Sequence, residues 1–592
     1  GFRSCHPLHS AVSRSVRGLA YTGFTHDNTV AHLRGSTDVP LLQDTIGDFF
    51  DKQVARLQDQ QMLRVIHEDI SWSWNEVQQR AEELAAGLHE LGFRNGDRLA
   101  VCMPNNAGWV VSHMASVKLG LILVHINPAY RIDELEMALN LVGSRGLIMT
   151  ESFKTSHYVE MMHKLAPEML THEGGELSLS RIPSLKHVLL YHTLGHQEPP
   201  DVHGTIPFHD VPKKDPKLLA TVRDIQKTIK NTDPTSLQFT SGTTGSPKAA
   251  TLSHLNILNN GYFCGRRMKL TDKDRLCIPV PLYHCFGLVL GNLACMTNGA
   301  SIVYPSEGFD PEKTLQCISQ EKCTGLHGVP TMFIAEMNHP NFSKYDLSTL
   351  RTGIIAGSLA PASVMSRIIS EMHLSEITNG YGMTETSPVS LQTNTDDDQK
   401  KRCTTVGTIH EHLEVKVVDE QGKTLATGQK GELCTKGYSV MSGYWNNPTK
   451  TKECIDNDGF MHTGDLAVID EEGYVAIVGR IKDIIIRGGE NIYPGEIEDF
   501  LLTHPKVSQV SIVGVPDRVF GEQLCAWVNP RSGMSVTEQE LRDYCKEKIA
   551  HFKIPKYWLF RDVFPMTVTG KIQKFAMRDQ SVEILGLQNE MD

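Results

Sequence analysis

Residues 237–254 read LQFTSGTTGSPKAATLSH, and nine consecutive positions in it are made for holding an anion. Thr240, Ser241, Gly242, Thr243, Thr244, Gly245, Ser246, Pro247 and Lys248 supply hydroxyl donors, two glycines and a cation. Glycines permit the positive-φ turns that aim successive N–H groups into one concavity, and that is the chemistry of a phosphate cradle. It is not a Walker loop, which needs its lysine directly after the second glycine of G-x-x-x-x-G-K-[ST]. Here Gly242 and Gly245 are three apart, and Lys248 stands between Pro247 and Ala249. Taken alone, the stretch reads equally well as a polar turn after the strand-like SLQF.

The elements around the loop must hold it rigidly. Ser73 and Glu76 form a capping box, and Val77, Ala81, Leu84, Ala85, Leu88 and Leu91 then keep one helical face apolar. RLAVCMP reads as a strand, and RIDELEMALNLVG as a helix before GLIMT. The apolar run AGWVVSHMASVKLGLILVHI (107–126) is broken by His113, Lys118 and Gly120. It therefore reads as a buried helix entering a buried strand, not as a membrane span. Strand and helix alternate, so an α/β fold with a parallel sheet covered on both faces is expected. Residues 195–236 read as a surface excursion and 394–402 as a solvated charged loop. A fresh helix at YPGEIEDFLL, strands QVSIVGVP and QLCAWV, a helix at TEQELRDYCKEKIA and a glycine turn TVTGKIQK suggest a small α+β unit at the C-terminal end.

At 592 residues the chain exceeds one core and should divide into at least two domains. A formal charge of −11 argues against nucleic acid as a partner. The 13 cysteines show no C-x-x-C pair and no His/Cys cluster at metal spacing, which suits reduced core thiols. Residues 1–26 carry Arg3, Arg14 and Arg17, six Ser/Thr and no acid before Asp27, the composition of a mitochondrial transit segment.

Further segments follow the glycine loop in a fixed order: YGMTETSP (381–388), HTGD (462–465), GRIKD (479–483), GGENI (488–492) and TVTGK (567–571). In this order they resemble the adenylate-forming superfamily, which holds acyl-CoA synthetases, luciferases and the adenylation domains of peptide synthetases. The likeness runs from about residue 40 to the C-terminus and is strongest to fatty acyl-CoA synthetases. It implies a large N-terminal domain of αβαβα layers plus a small β-barrel-like subdomain, and a small hinged C-terminal α+β domain. The expected division is a targeting segment at 1–30, an ATP- and acyl-binding domain at 31–480 and a mobile domain at 481–592, with a hinge at 480–483. One departure is Ala249, where most relatives place glycine.

The resemblance implies ATP, Mg²⁺ and coenzyme A as reaction partners and a medium-chain fatty acid as substrate, in the mitochondrial matrix. Thr240 to Lys248 would hold the β- and γ-phosphates. Thr384 and Glu385 fit phosphate and Mg²⁺ roles, Glu385 offering the hard oxygen Mg²⁺ prefers. Tyr381 would stack on adenine, Asp465 would accept the ribose hydroxyls, and Arg480 would reach ribose and phosphate. Lys571 would bridge carboxylate and α-phosphate. Lys482 matches the hinge position, and Gly488 and Gly489 would let the CoA arm pass. PLYHCFG (281–287), GVPTMF (328–333) and AGSLAP (356–361) should line an acyl pocket, with His284 at the reacting carbonyl and Gly287, Gly357 and Ser358 leaving a channel. An aryl-CoA ligase, another adenylate-former, and a catalytically silent acyl-AMP- or CoA-binding homologue stand as alternatives.

Overall fold

The computed structural model describes residues 23–172, 175–193, 202–240, 247–358, 360–546, 548–567 and 570–588. Residues 1–22, most of the expected targeting segment, and 241–246, the middle of the glycine loop, lie outside them. Residues Phe24–His26, inside the expected targeting segment, form a strand paired antiparallel with His32–Gly35.

Two large sheets carry the N-terminal body. The first runs Ile206–Pro207, His187–Tyr191, Gly146–Thr150, Arg98–Cys102, Ile122–His125, Pro234–Thr240, Lys248–Ser253 and Gly443–Tyr444. Its members are parallel as far as Pro234–Thr240, and the last two strands join antiparallel. The second has nine strands and a parallel centre, with Glu376–Gly382, Thr352–Ile355, Gly325–Leu326, Arg275–Cys277, Ser301–Tyr304 and Gln61–Val65 side by side. Parallel strands must be covered on both faces, so their sequences are near-continuous apolar runs.

Helix Ala107–Leu119 explains how the two sheets share a core. Every one of its residues is buried, so the run lacks a polar face. Asn106 caps its start by accepting from Trp109 N–H, and Gly120, at φ 72°, ends it before the strand Ile122–His125. The buried ammonium of Lys118 meets Asp51 at 2.6 Å and Glu82 at 3.6 Å, which gives the charge its partners. Ser73 and Glu76 close both bonds of their capping box on helix Trp74–Glu90.

A third, antiparallel sheet of six strands contains His32–Gly35, Leu413–Val418, Gly431–Gly437, Met461–Ile469 and Val475–Arg480 besides the first strand. A 3-10 turn at Ile481–Asp483 follows, and a C-terminal sheet of five strands begins at Ile485–Arg487. Its centre is the long hairpin Val507–Asp517/Gly521–Pro530, flanked by helices Pro494–Leu502, Glu538–Cys545 and Lys574–Leu585.

Two stretches differ from the reading of the sequence. Within 195–236, helix Pro216–Gln226 buries Val222 and Gln226, and Pro234–Thr240 is a central strand. The Pro, Asp and Lys content had masked an amphipathic helix capped by Asp215. Within 394–402, Arg402 is buried, donating to the carbonyls of Ser375 and Asp397, and residues Gln399–Thr404 are helical. That charge run fastens a sheet edge. Among the described residues no helix is long and apolar enough to cross a membrane, and every cysteine is a free thiol.

Gly87 tests how the supposed excursion packs. In an exposed helix interior, glycine to alanine gains about 1 kcal/mol. Here an added Cβ would lie 1.7 Å from the Val211 carbonyl oxygen. Gly87→Ala is therefore expected to destabilise the protein by about 1–3 kcal/mol in denaturant unfolding; an unchanged or raised midpoint would show that 206–211 does not lie on this helix.

Candidate active site

Antiparallel register places the first pair of site residues. Asp465 and Arg480 are cross-strand partners where Met461–Ile469 meets Val475–Arg480. The Arg480 Nε lies 3.1 Å from Asp465 Oδ1. Tyr381, near the end of strand Glu376–Gly382 in the nine-stranded sheet, donates its hydroxyl to Asp465 Oδ2 at 2.7 Å. Both carboxylate oxygens thus have partners, and a ligand's hydroxyls must share or displace them. Burial raises the Asp465 carboxyl from the usual range, with Arg480 and the Tyr381 hydrogen bond opposing it. The chain reaches Asp465 through Gly464, whose φ of 71° suits glycine, and the turn is fastened by Thr463 Oγ1 donating to the Leu433 carbonyl at 2.7 Å.

Thr384 and Glu385 sit in a buried 3-10 turn directly after that strand. Glu385 Oε1 accepts the Tyr444 hydroxyl at 2.7 Å, and its carbonyl accepts Met441 N–H at 2.9 Å. The Tyr444 ring carries Lys248 Nζ 5.1 Å from its centroid. Thr240 and Lys248 are the last pair of their two strands, and of these two rims Lys248 stands beside Tyr444. Pro247 precedes the second strand; Ser241, Gly242, Thr243, Thr244, Gly245 and Ser246 fall outside the described residues. Ala249 is buried and pairs with Phe239, so its methyl fills the sheet rather than the loop mouth.

Lys571 arrives from the other end of the chain. Its turn is closed by Thr567 N–H donating to the Lys571 carbonyl at 2.7 Å and Lys571 N–H donating to Thr567 Oγ1 at 3.0 Å. The turn docks on helix Pro330–Met337, where Thr331 Oγ1 donates to the Gly570 carbonyl at 3.2 Å. A Cβ built on Gly357 would lie 3.4 Å from Lys571 Cε and 3.0 Å from Val329, so the aliphatic stem runs over a glycine. Burial pushes the ammonium below the ordinary lysine value; Arg480 pushes the same way, while Cys285, Glu385 and Asp465 oppose it. The lysine therefore senses Arg480, Glu385 and Asp465 together.

His284 is half-buried, and its lost hydration pushes its imidazole down to about 3, with Lys571 adding to the effect. Its Nδ1 accepts the Phe286 N–H at 3.2 Å, which leaves the proton of the neutral ring on Nε2. His284 is a hydrogen-bond donor here, not a base. Phe286, Val329, Met332 and Ala356 belong to one apolar cluster, so the three segments read as a pocket lining do meet. Ser358 is exposed at its rim. Gly287 has a different reason from an open channel: a Cβ there would stand 2.4 Å from the Pro281 carbonyl oxygen. The chain at 286–293 winds as a π-helix, a form that recurs at functional sites.

Gly488 and Gly489 turn a two-residue hairpin between Ile485–Arg487 and Glu490–Ile492, at φ 60° and 87°. Gly488 N–H donates to Phe520 of the same sheet at 2.7 Å, so the pair is exposed and stands with the C-terminal sheet rather than around Lys571. Lys482, in the turn Ile481–Asp483, is exposed. Tyr444 and Gln238 were missed by sequence reasoning, and Thr331 and Cys285 fell inside the expected pocket segments without being singled out. Cys285 donates to Gln238 Oε1 at 2.8 Å beneath the site, and nothing in the residue types of these four marks them out.

The arrangement offers a half-buried ammonium, a buried carboxylate beside the rims of a glycine loop, and a Tyr–Asp–Arg group. It suits a polyphosphate whose sugar end lies on Asp465 and whose reacting phosphorus faces Lys571. The docking of the Lys571 turn is directly testable. Gly570 has φ 78°, and a Cβ on it would press on Thr331 Oγ1 at 3.1 Å and Val329 at 3.2 Å. Gly570→Ala is expected to loosen the turn, so that amine-reactive labelling of Lys571, read by peptide mass spectrometry, speeds up several-fold. Equally slow labelling in both proteins would contradict this docking.

Comparison with known proteins shows the family. Residues 50–445 match the family model described as AMP-binding enzyme, and residues 496–571 match AMP-binding enzyme C-terminal domain. The rat protein named medium-chain acyl-CoA ligase ACSF2, mitochondrial (Rattus norvegicus) is 41% identical over 94% of this chain and 91% of its own length. The putative acyl-CoA synthetase YngI of Bacillus subtilis is 42% identical over 93% of this chain and 99% of its own. Among solved structures, the anthranilate CoA ligase AuaEII in complex with anthranoyl-AMP superposes with a TM-score of 0.80 at 26% identity, covering 93% of this chain and 99% of that one.

Proposed function

This chain belongs to the AMP-binding enzyme family, and from that premise we propose that it is an ATP-dependent fatty acyl-CoA ligase. A carboxylate is a poor electrophile. Its oxygen attacks the α-phosphorus of ATP, the bond to the β-phosphate breaks, and acyl-AMP and pyrophosphate result. The thiol of coenzyme A then attacks the acyl carbon, releasing AMP and leaving the thioester. The observation that carries this reading is the position of Lys571, whose turn from the C-terminal unit docks on Thr331 and whose stem runs over Gly357 of the N-terminal body.

In this reading Thr240 to Lys248 hold the β- and γ-phosphates, Asp465 takes the ribose, Tyr381 lies against the base and Arg480 reaches toward the phosphates. Lys571 draws the acid's carboxylate onto the α-phosphate and neutralises charge as the two meet. The buried carboxylate of Glu385, steadied by Tyr444, has the hard-oxygen chemistry that fits Mg²⁺, with Thr384 beside it. When bound there, Mg²⁺ supplies charge shielding for the departing pyrophosphate. His284, neutral and carrying its proton on Nε2, donates toward the acyl carbonyl.

The body at 31–480 would bind ATP and acid, and 481–592 would swing about 480–483 to bring Gly488 and Gly489 to the adenylate for the thiol step. The exposure of that hairpin and of Lys482 supports such a swing. A medium-chain acid is supported by the names of the relatives and by the apolar lining of Phe286, Val329 and Met332. A mitochondrial matrix location is supported by those names and by the arginine-bearing, acid-free residues 1–26, though the bacterial relative is equally similar.

Pyrophosphate exchange over a carboxylate panel tests the reading. Exchange is expected with medium-chain fatty acids; preference for benzoates would make this an aryl ligase, and no exchange with any acid would make it a silent homologue. Lys571→Ala is expected to lose roughly 10²–10³-fold in exchange while still converting supplied acyl-AMP and CoA to thioester. Equal loss of both half-reactions would refute the role given to Lys571.

A further inference from the structure

Behind the Thr463–Gly464–Asp465 turn, three side chains of different chemistry converge. Glu432 and Cys434 are two apart on strand Gly431–Gly437 and so share a face. His462, on the neighbouring strand Met461–Ile469, is the cross-strand partner of Cys434. The His462 Nδ1 lies 2.8 Å from Glu432 Oε2 and 3.5 Å from Cys434 Sγ. One ligand atom from each of the three falls within 4.8 Å of the others. Cys434 is buried, while Glu432 and His462 are partly exposed, which leaves a route for an ion and its water. Sequence spacing gave no sign of this group, because the register of two strands assembles it.

We propose that Glu432, Cys434 and His462 form a binding site for a borderline-soft divalent transition ion of the zinc class. Thiolate, imidazole and carboxylate are the ligands such an ion takes, and three protein ligands leave a fourth position for water. A thiolate, a carboxylate and a neutral imidazole sum to two negative charges, which a divalent ion cancels. On binding, the Cys434 S–H bond breaks and its proton goes to solvent. His462 presents Nδ1 to the ion and carries its own proton on Nε2. Asp456 Oδ2 stands 3.8 Å from that Nε2, beyond hydrogen-bond distance in this structure, and a side-chain adjustment of about 1 Å would make it the carboxylate that holds a metal-bound histidine. Lys416, 3.9 Å from the same Asp456 oxygen, is the cation that faces the cluster without the metal.

The site bears on the nucleotide turn through two contacts. Glu432 Oε1 accepts Gly464 N–H at 3.0 Å, and Leu433, between the two ligands, accepts the Thr463 hydroxyl. An ion held by Glu432 and His462 would therefore fasten the turn that carries Asp465. Cys277, Cys317 and Cys323 also bring their sulfurs together, but all three are buried, so they serve as the internal control.

The test is titration of the full-length protein with Co²⁺ in a non-thiol reductant, followed by the near-ultraviolet thiolate-to-cobalt absorption and reversed by Zn²⁺. Saturation at one equivalent is expected. Cys434→Ser should abolish the charge-transfer band, His462→Gln should weaken binding at least tenfold, and Asp456→Asn should weaken it roughly 10–100-fold. Circular dichroism checks that each variant is folded, and His462→Gln, at a partly exposed position, decides alone if Cys434→Ser is not. Absence of a saturable band, or a band unchanged in a folded His462→Gln variant, would overturn the proposal, the latter assigning the ion to the cysteine trio.

Discussion

The site depends on a half-buried cation that has lost part of its hydration. An ammonium in a protein interior keeps its proton only as far as neighbouring negative charge compensates its lost hydration. Around Lys571 the compensation is partial: Glu385 and Asp465 attract, Arg480 repels, and burial outweighs them. Such a group has a standing affinity for further negative charge. In the proposed reaction a carboxylate and an α-phosphate brought together would supply it, and the electrostatic cost of burial in the free protein would become attraction for the reacting pair.

That placement requires three sheets to agree. The six-stranded sheet presents Asp465 and Arg480 as cross-strand neighbours, and the nine-stranded sheet presents Tyr381 at a strand end and Glu385 just beyond it. The eight-stranded sheet holds the rims of the glycine loop at Thr240 and Lys248. The fully buried helix Ala107–Leu119 lies within the core the large sheets share, with residues of both in one apolar cluster. Lys571 alone comes from the C-terminal unit, resting on Gly357, Val329 and Thr331. A single short turn at Ile481–Asp483 leads to that unit.

Much of this was legible in the chain itself. The capping box at Ser73 and Glu76, the run 107–126 and the alternation of apolar segments report local periodicity, which sequence states directly. The glycine loop, Y-G-x-T-E, T-G-D and T-G-K are compact signals for the same reason. What stayed hidden depends on register and packing. Tyr444 became visible only through its bond to Glu385, Gly287 through the Pro281 carbonyl, and the Glu432–Cys434–His462 group through one cross-strand pairing. Two charged stretches were misread: Arg402 is buried and donates to the Ser375 carbonyl, and helix Pro216–Gln226 keeps its charges in water while burying Val222 and Gln226.

The most direct test of the half-buried-cation account is the titration of Lys571 itself. In protein labelled with [ε-¹³C]lysine, with the resonance assigned by Lys571→Arg, the free enzyme should show an ammonium that loses its proton below the ordinary lysine range. A non-hydrolysable ATP analogue should move that titration upward as the phosphates supply the missing charge. A Lys571 resonance that titrates like an exposed lysine, or one that the nucleotide leaves unmoved, would contradict the account.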